Sequence, residues 1–368
     1  MDSTISRRKW MGQMTLLIAS PAIASNLLHS TTSSVKPDLI KLSGNENPYG
    51  PSPKALVAIR EMATMGNRYP FGEAELLHNQ LASQMSVSSD QLLLGSGSSQ
   101  LLQLLAHWIV LMKYPVTYAS PTFDILPSQV RQLGGQVNEI KMNDDFQYDL
   151  NQIGEKAKGN PGIIYLVNPN NPTGIKTSAQ ELKNFCKQES KHSYIIVDEA
   201  YIEYIGLEES LVDMIHNNEK IIIVRTFSKI YGLAGLRIGY LMAHANTINK
   251  LKPLRIWNND SLSIAGIAAA KASLEDDVFV RESLNKNQTI RATTIESLRY
   301  LGIHPYKSHT NFIFFKIPGN KDLGSLLKKH NMLVGQKKVN DRNYARVTIG
   351  TKEEMNIFIK HITNIYKS

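Results

Sequence analysis

A chain of 368 residues with 42% hydrophobic content is long enough to bury two or three domain-sized cores. Its formal charge of +9 comes from scattered lysines and arginines, with no basic run interleaved with aromatics, so nucleic-acid binding is not expected. The one cysteine, Cys186, excludes an intramolecular disulfide and any multi-cysteine metal site.

The first predicted element is an export signal. Ser6-Arg7-Arg8-Lys9-Trp10-Met11 precedes a mostly apolar stretch, residues 14–23, that is too short to span a bilayer as a stable helix. Ala22-Ile23-Ala24 then fits a cleavage site of the A-x-A kind, so the twin arginines predict passage to the periplasm and loss of residues 1–24. If that segment is only a helical or disordered extension, a cytoplasmic protein is expected instead. Residues 25–37, rich in Ser and Thr and ending at Pro37, read as a linker. No later segment is apolar enough to anchor the chain in a membrane.

Residues 38–67 form an N-terminal segment that could belong to either of two domains. Short apolar runs then recur at residues 91–94, 115–119, 162–167, 194–197, 221–226 and 238–242, separated by helical periodicity such as 101–112 and 179–187. That alternation predicts an α/β fold with a mostly parallel sheet in a large domain, residues 68–255. Residues 256–368 change character, with a helical stretch at 261–300, strands near 311–317 and 345–349 and a terminal helix at 352–366, and predict a smaller α+β domain.

In open sheets of this kind ligands sit beyond the carboxyl ends of the strands, which directs attention to the residues after each run. Gly95-Ser96-Gly97-Ser98-Ser99 opens a helix, so free N–H groups and serine hydroxyls there can cradle a phosphate, although many such loops are simple turns. Pro121-Thr122-Phe123 presents a ring on which a heteroaromatic could stack, or one that is plain core. Asn168-Pro169-Asn170-Asn171-Pro172-Thr173-Gly174 is a constrained turn that can present the Asn171 amide, or a turn and nothing more. Asp198-Glu199-Ala200-Tyr201 places a carboxylate where it could face a pyridine nitrogen, with the Tyr201 hydroxyl three residues on, though Asp at a strand end is also a common helix cap. Thr226-Phe227-Ser228-Lys229 sets a lysine just past a buried strand, where desolvation makes an amine nucleophilic, and Arg237 adds a phosphate donor eight residues later. Five successive strand ends thus carry phosphate donors, a stacking ring, an amide, a carboxylate and a lysine, the requirements of pyridoxal 5'-phosphate (PLP).

With these stretches in hand, residues 39–366 resemble the fold-type I PLP enzymes of the class I/II aminotransferases, and within them the histidinol-phosphate aminotransferase group. Further matches are Asn45-Glu46-Asn47-Pro48-Tyr49-Gly50-Pro51-Ser52-Pro53, Arg68-Tyr69-Pro70, Gly235-Leu236-Arg237 and Arg346-Val347-Thr348-Ile349-Gly350. The resemblance implies a mostly parallel seven-stranded central sheet flanked by helices and a smaller α+β domain. It implies Lys229 as the Schiff-base lysine and proton carrier, Asp198 on the pyridinium, Asn171 and Tyr201 on the phenolate oxygen, and Phe123 stacked on the ring. Gly97, Ser98, Ser99, Thr226, Ser228 and Arg237 would hold the phosphate, and Tyr69 would reach the phosphate of a second subunit, so a homodimer is implied. Tyr49, Arg346 and Asn311 are the expected substrate contacts, Arg346 pairing with the α-carboxylate, and no metal is expected.

The implied activity is ping-pong transfer of an amino group from an amino acid or an amino-alcohol phosphate, histidinol phosphate-like or aromatic, to a 2-oxo acid. Alternatives are a PLP-dependent decarboxylase of the threonine-phosphate type and a non-catalytic binding protein on the same scaffold. One departure bears on the substrate. Where the family commonly carries an arginine after a strand like Met332-Leu333-Val334, this chain reads Gly335-Gln336-Lys337-Lys338, and a lysine does not reproduce a guanidinium fork.

Overall fold

The computed structural model describes residues 39–255 and 261–367. The expected export signal and the linker at 25–37 lie outside them. Contacts divide the chain after Ile40, and apart from Ile40, which opens the first strand, everything below concerns the unit from Lys41 onward.

In chain order the strands are β1 (Ile40–Leu42), β2 (Leu92–Gly95), β3 (Val116–Ser120), β4 (Val137–Lys141), β5 (Ile163–Val167), β6 (Tyr194–Asp198), β7 (Ile221–Thr226), β8 (Gly239–Ala243), β9 (Phe312–Lys316), β10 (Met332–Val339) and β11 (Arg342–Thr348). Seven form one sheet in the order β2-β8-β7-β6-β5-β3-β4. Its strands run parallel except β8, which is antiparallel to both neighbours. The six apolar runs of the sequence are all in it. The seventh strand, β4, has no apolar run, because Val137-Asn138-Glu139-Ile140-Lys141 pairs only with β3 and an edge strand tolerates polar side chains.

β5 and β7 are buried along their whole length, and β6 beyond its half-buried first residue Tyr194, because helices cover both faces of the sheet. Side chains alternate in direction with a period of two. Ile164, Leu166, Ile195 and Val197 meet Leu77, Leu81, Ile153 and Leu182 of the helices Phe71–Gln84, Leu150–Gly159 and Ala179–Glu189. Ile163, Tyr165, Ile196 and Ile222 meet Leu101, Leu105 and Ile109 of Gly97–Leu111 on the other face. Each such side chain taken from water contributes about 1.5–3 kcal/mol.

Beneath the end of β6, Glu199 and Arg225 form an ion pair at 2.9 Å with both side chains 1% exposed, and Ser210 bonds to both. This ties the turn after β6 to β7, so Asp198 and Lys229 emerge side by side. The smaller sheet has the order β1-β10-β11-β9, with β10, β11 and β9 antiparallel. The expected helical stretch at 261–300 is two helices, Ile264–Ser273 and Asp277–Tyr300, because the Asp276 carboxylate accepts from Phe279 N and starts the second one.

Candidate active site

The strand ends of the large sheet open on a cavity of about 200 Å³. At one end Gly97 begins the helix Gly97–Leu111 at φ 74°, and an added Cβ would sit 2.3 Å from Arg237 Nη2, so only glycine lets the guanidinium approach the helix start. Arg237 Nη1 donates to Ser228 Oγ at 3.2 Å and Nη2 to Ser99 Oγ at 3.5 Å, while Thr226 Oγ1 donates to Ser228 Oγ at 2.9 Å. A guanidinium, three hydroxyls and the unpaired N–H groups of a helix N-terminus suit a phosphate dianion.

Across the cavity stands Asp198, 1% exposed. Its Oδ1 accepts from Ala200 N at 3.1 Å and its Oδ2 from the Tyr165 hydroxyl at 3.4 Å. Burial nevertheless raises the carboxyl to about 6, and those hydrogen bonds and the Lys229 charge oppose the rise. A buried carboxylate so raised is stabilised by a cation brought beside it, which a protonated ring nitrogen is. Phe123 and Ala200 also line this part.

Between the two ends lies Lys229. Its Nζ donates to Gly44 O at 3.4 Å and lies 5.6 Å from the centre of the Tyr201 ring. Burial, followed by the charge of Arg346, lowers the ammonium to about 8, against the pull of Asp198 and Glu46. A pKa below the usual lysine range means that about a tenth of the amine is neutral at pH 7 and most of it above pH 8. Capture of PLP by the apoprotein should therefore accelerate roughly tenfold from pH 6 to pH 7 and level off above pH 8. A stopped-flow profile that is flat from pH 6 to 9 would contradict this.

Tyr201 is 2% exposed, and burial pushes its phenol up to about 12, so the hydroxyl keeps its proton. Asn171 uses its Oδ1 to accept from Arg346 Nη1 at 2.8 Å, which leaves its NH₂ group as the donor available to the cavity. Arg346 Nη2 donates to Ser43 O, and its buried Nε has no partner among the described residues.

Ser98, Ser99, Phe123, Asn171, Asp198, Tyr201, Thr226, Ser228, Lys229 and Arg237 line one cavity, with Gly97 directly behind Arg237. Arg346 reaches it through Asn171. Gly97 and Arg346 thus adjoin the cavity without lining it, and Tyr69, Tyr49 and Asn311 do not line it either. Tyr69 is 70% exposed beside Phe71, Tyr49 lies under Lys286 Nζ at 4.9 Å, and Asn311 donates to Asn45 O at 3.0 Å and to Glu46 O at 3.3 Å. Asn311 thus braces the segment before Tyr49. Gly44 and Glu46 line the cavity although the sequence reading had passed over them, and Asn45 lies between them. For Glu46 the signal in the sequence is its place in the stretch 45–53, whereas Gly44 lies just before that stretch.

The departure at 335–338 also has a place. Gly335 faces Arg346 across the β10–β11 register, Lys337 pairs with Asp124 at 3.7 Å and Lys338 with Asp341 at 3.0 Å. Neither lysine lines the cavity.

Residues 37–362 match the family described as aminotransferase class I and II. The chain is similar to histidinol-phosphate aminotransferase 1 of Bacillus anthracis, at 33% identity over 86% of each chain. It is also similar to the crystal structure of histidinol-phosphate aminotransferase from Sinorhizobium meliloti in complex with pyridoxal-5'-phosphate, with a TM-score of 0.83, 25% identity and 99% of each chain covered. L-threonine-O-3-phosphate decarboxylase from Porphyromonas gingivalis shares the fold, with a TM-score of 0.79 at 22% identity over 90% of this chain and all of that one.

Proposed function

The chain belongs to the class I and II aminotransferase family, and from that premise we propose that this PLP-dependent aminotransferase takes its amino group from a donor bearing an α-carboxylate. The carrying observation is the buried Nε of Arg346, a guanidinium nitrogen without a partner among the described residues, whose charge acts on the amine of Lys229. A guanidinium binds a carboxylate through two parallel bonds, and an arriving carboxylate would satisfy that nitrogen.

PLP, when bound, supplies an aldehyde that bonds amines and a ring that withdraws electrons from the substrate carbon. The protein supplies the rest. Arg237 with Ser98, Ser99 and Ser228 would hold the phosphate, Asp198 would keep the ring nitrogen protonated, and the Asn171 and Tyr201 donors would serve the ring oxygen. Lys229 would be the amine that holds the cofactor and the group that carries the α-proton. Its position 3.4 Å from Gly44 O keeps the amine at the cavity wall rather than in solvent.

The B. anthracis and S. meliloti relatives are named for histidinol phosphate, a phosphorylated amino alcohol. Here the stretch 335–338 holds no arginine, and Lys337 and Lys338 are engaged with Asp124 and Asp341, which favours a carboxylate-bearing donor over a phosphorylated one. The test is a panel of donors including histidinol phosphate and aromatic amino acids, scored by loss of the visible band as the bound cofactor becomes its amine form. Histidinol phosphate outperforming every amino acid would overturn the donor class. Carbon dioxide release without keto-acid formation would make the protein a decarboxylase, and the lack of any visible band would favour a non-catalytic role.

Two further parts of this reading concern the whole molecule. Leu56, Val57, Met65, Tyr69, Phe71 and Leu76 are all at least 39% exposed on and between the helices Pro53–Ala63 and Phe71–Gln84, an apolar surface that supports a homodimer in which Tyr69 serves the neighbouring site. A sedimentation mass of one chain, 41.2 kDa, would reject it. Among the described residues no helix is long and apolar enough to cross a membrane. The Arg7-Arg8 pair supports export through a twin-arginine route, a prediction that fails if fractionation finds all the protein in the cytoplasm with residues 1–24 attached.

A further inference from the structure

The Tyr201 hydroxyl has one partner among the described residues, the side-chain amide of Asn45, whose Nδ2 lies 2.9 Å away. Asn45 is 1% exposed and holds the left-handed backbone region at φ 52°, which Asn adopts more readily than most residues. The Thr348 hydroxyl accepts the Asn45 backbone N–H at 2.9 Å and donates its own proton to Asn45 Oδ1 at 3.2 Å. With Oδ1 committed as an acceptor, the NH₂ end of the amide must face Tyr201. The Tyr201 oxygen therefore accepts, and its own proton is left for an acceptor in the cavity. Asn311, just before β9, fixes the same segment by donating to Asn45 O at 3.0 Å.

We propose that Asn45 is a positioning residue for transamination: its donation to the Tyr201 oxygen directs the Tyr201 proton onto the ring oxygen of PLP, and Thr348 couples that arrangement to the strand carrying Arg346. Arg346 and Thr348 are two apart on β11 and share a face. Arg346 holds Ser43 O while Thr348 holds Asn45, so the strand that seats the substrate carboxylate also fixes the residue that aims Tyr201. This inference rests on the proposed placement of Tyr201 against the ring oxygen.

Donation to the ring oxygen stabilises its anionic form and lowers the pH at which the bound chromophore loses its proton. A hydrogen bond to a charged group corresponds to about one to two pH units of that midpoint. Asn45→Asp keeps the size of the side chain, its tolerance of positive φ and its acceptor for Thr348, but it turns the donor facing Tyr201 into an acceptor. The Tyr201 proton would then go to the new carboxylate and not to the cofactor.

The experiment is a pH titration of the visible band in the wild-type holoenzyme and in the Asn45→Asp, Tyr201→Phe and doubly substituted enzymes. Both single substitutions are expected to raise the midpoint by about one to two units, and Asn45→Asp should add little once Tyr201 is Phe. An unchanged midpoint in the Asn45→Asp enzyme, or a shift of equal size with and without the Tyr201 hydroxyl, would overturn the inference, because added charge or a structural role alone gives that pattern. If Tyr201→Phe itself leaves the midpoint unmoved, the placement of Tyr201 fails first. Should Asn45→Asp not fold, Asn45→Gly, which suits φ 52° and removes the donor, is expected to raise the midpoint by a smaller amount, and no rise would overturn the proposal.

Discussion

Replacing Lys229 by Ala is expected to give a folded protein that binds PLP without a covalent bond and turns over at least about 10⁴-fold more slowly. The size of the effect follows from two roles held by one amine. It would bond the cofactor aldehyde, and among the described residues it is the one lysine lining the cavity and so the amine placed to move the substrate proton. The fold should survive, since Lys229 Nζ makes one long bond, 3.4 Å to Gly44 O, and burying that amine already lowers its affinity for a proton. Borohydride reduction followed by mass measurement reads the covalent bond, and thermal melting reads the fold. A cofactor still fixed to the Lys229→Ala chain by borohydride would assign the bond to another lysine.

Asp198→Ala should lower turnover by on the order of 10²- to 10⁴-fold, the cost of about 3–5 kcal/mol for leaving a buried charge without its partner. The carboxylate sits at the end of β6 with Tyr165 and Ala200 N as its hydrogen-bond donors, and burial holds its pKa near 6 until a cation arrives. Without it the ring nitrogen of bound cofactor has no anion to keep it protonated, and the ring withdraws electrons poorly. A PLP analogue methylated on that nitrogen carries a permanent charge and should restore much of the lost rate to the Asp198→Ala enzyme. If the analogue gives no recovery, the substitution acts through packing and not through the charge.

The site was legible in the sequence wherever a functional side chain follows an apolar run. Lys229 follows β7, Asp198 closes β6, Asn171 follows β5, Phe123 follows β3 and Ser98 and Ser99 follow β2, and a parallel sheet delivers all these ends to one edge. Residues that reach the cavity from outside the sheet left no such mark. Asn311, an expected substrate contact, holds the backbone of Asn45 and Glu46, a contact across more than 260 residues that no local pattern encodes. The hairpin between β10 and β11 was half seen, since the sequence reading began β11 near Ala345. Asn340 and Asp341, both at positive φ, form a tight turn and start that strand at Arg342.

What the sequence determined by itself was the alternation of strand and helix, because apolar periodicity is a property of neighbours along the chain, and with it the set of groups needed to hold PLP. Its motifs were sufficient to identify the aminotransferase family. What the tertiary structure decided was the state of those groups. Lys229 is brought to about 8 by burial and by Arg346, Asp198 is raised to about 6 by burial, and the Asn171 and Tyr201 donors are oriented by Arg346 and Asn45. Each of these depends on a partner from another part of the chain, and only the closed fold brings such partners within hydrogen-bonding and Coulombic reach.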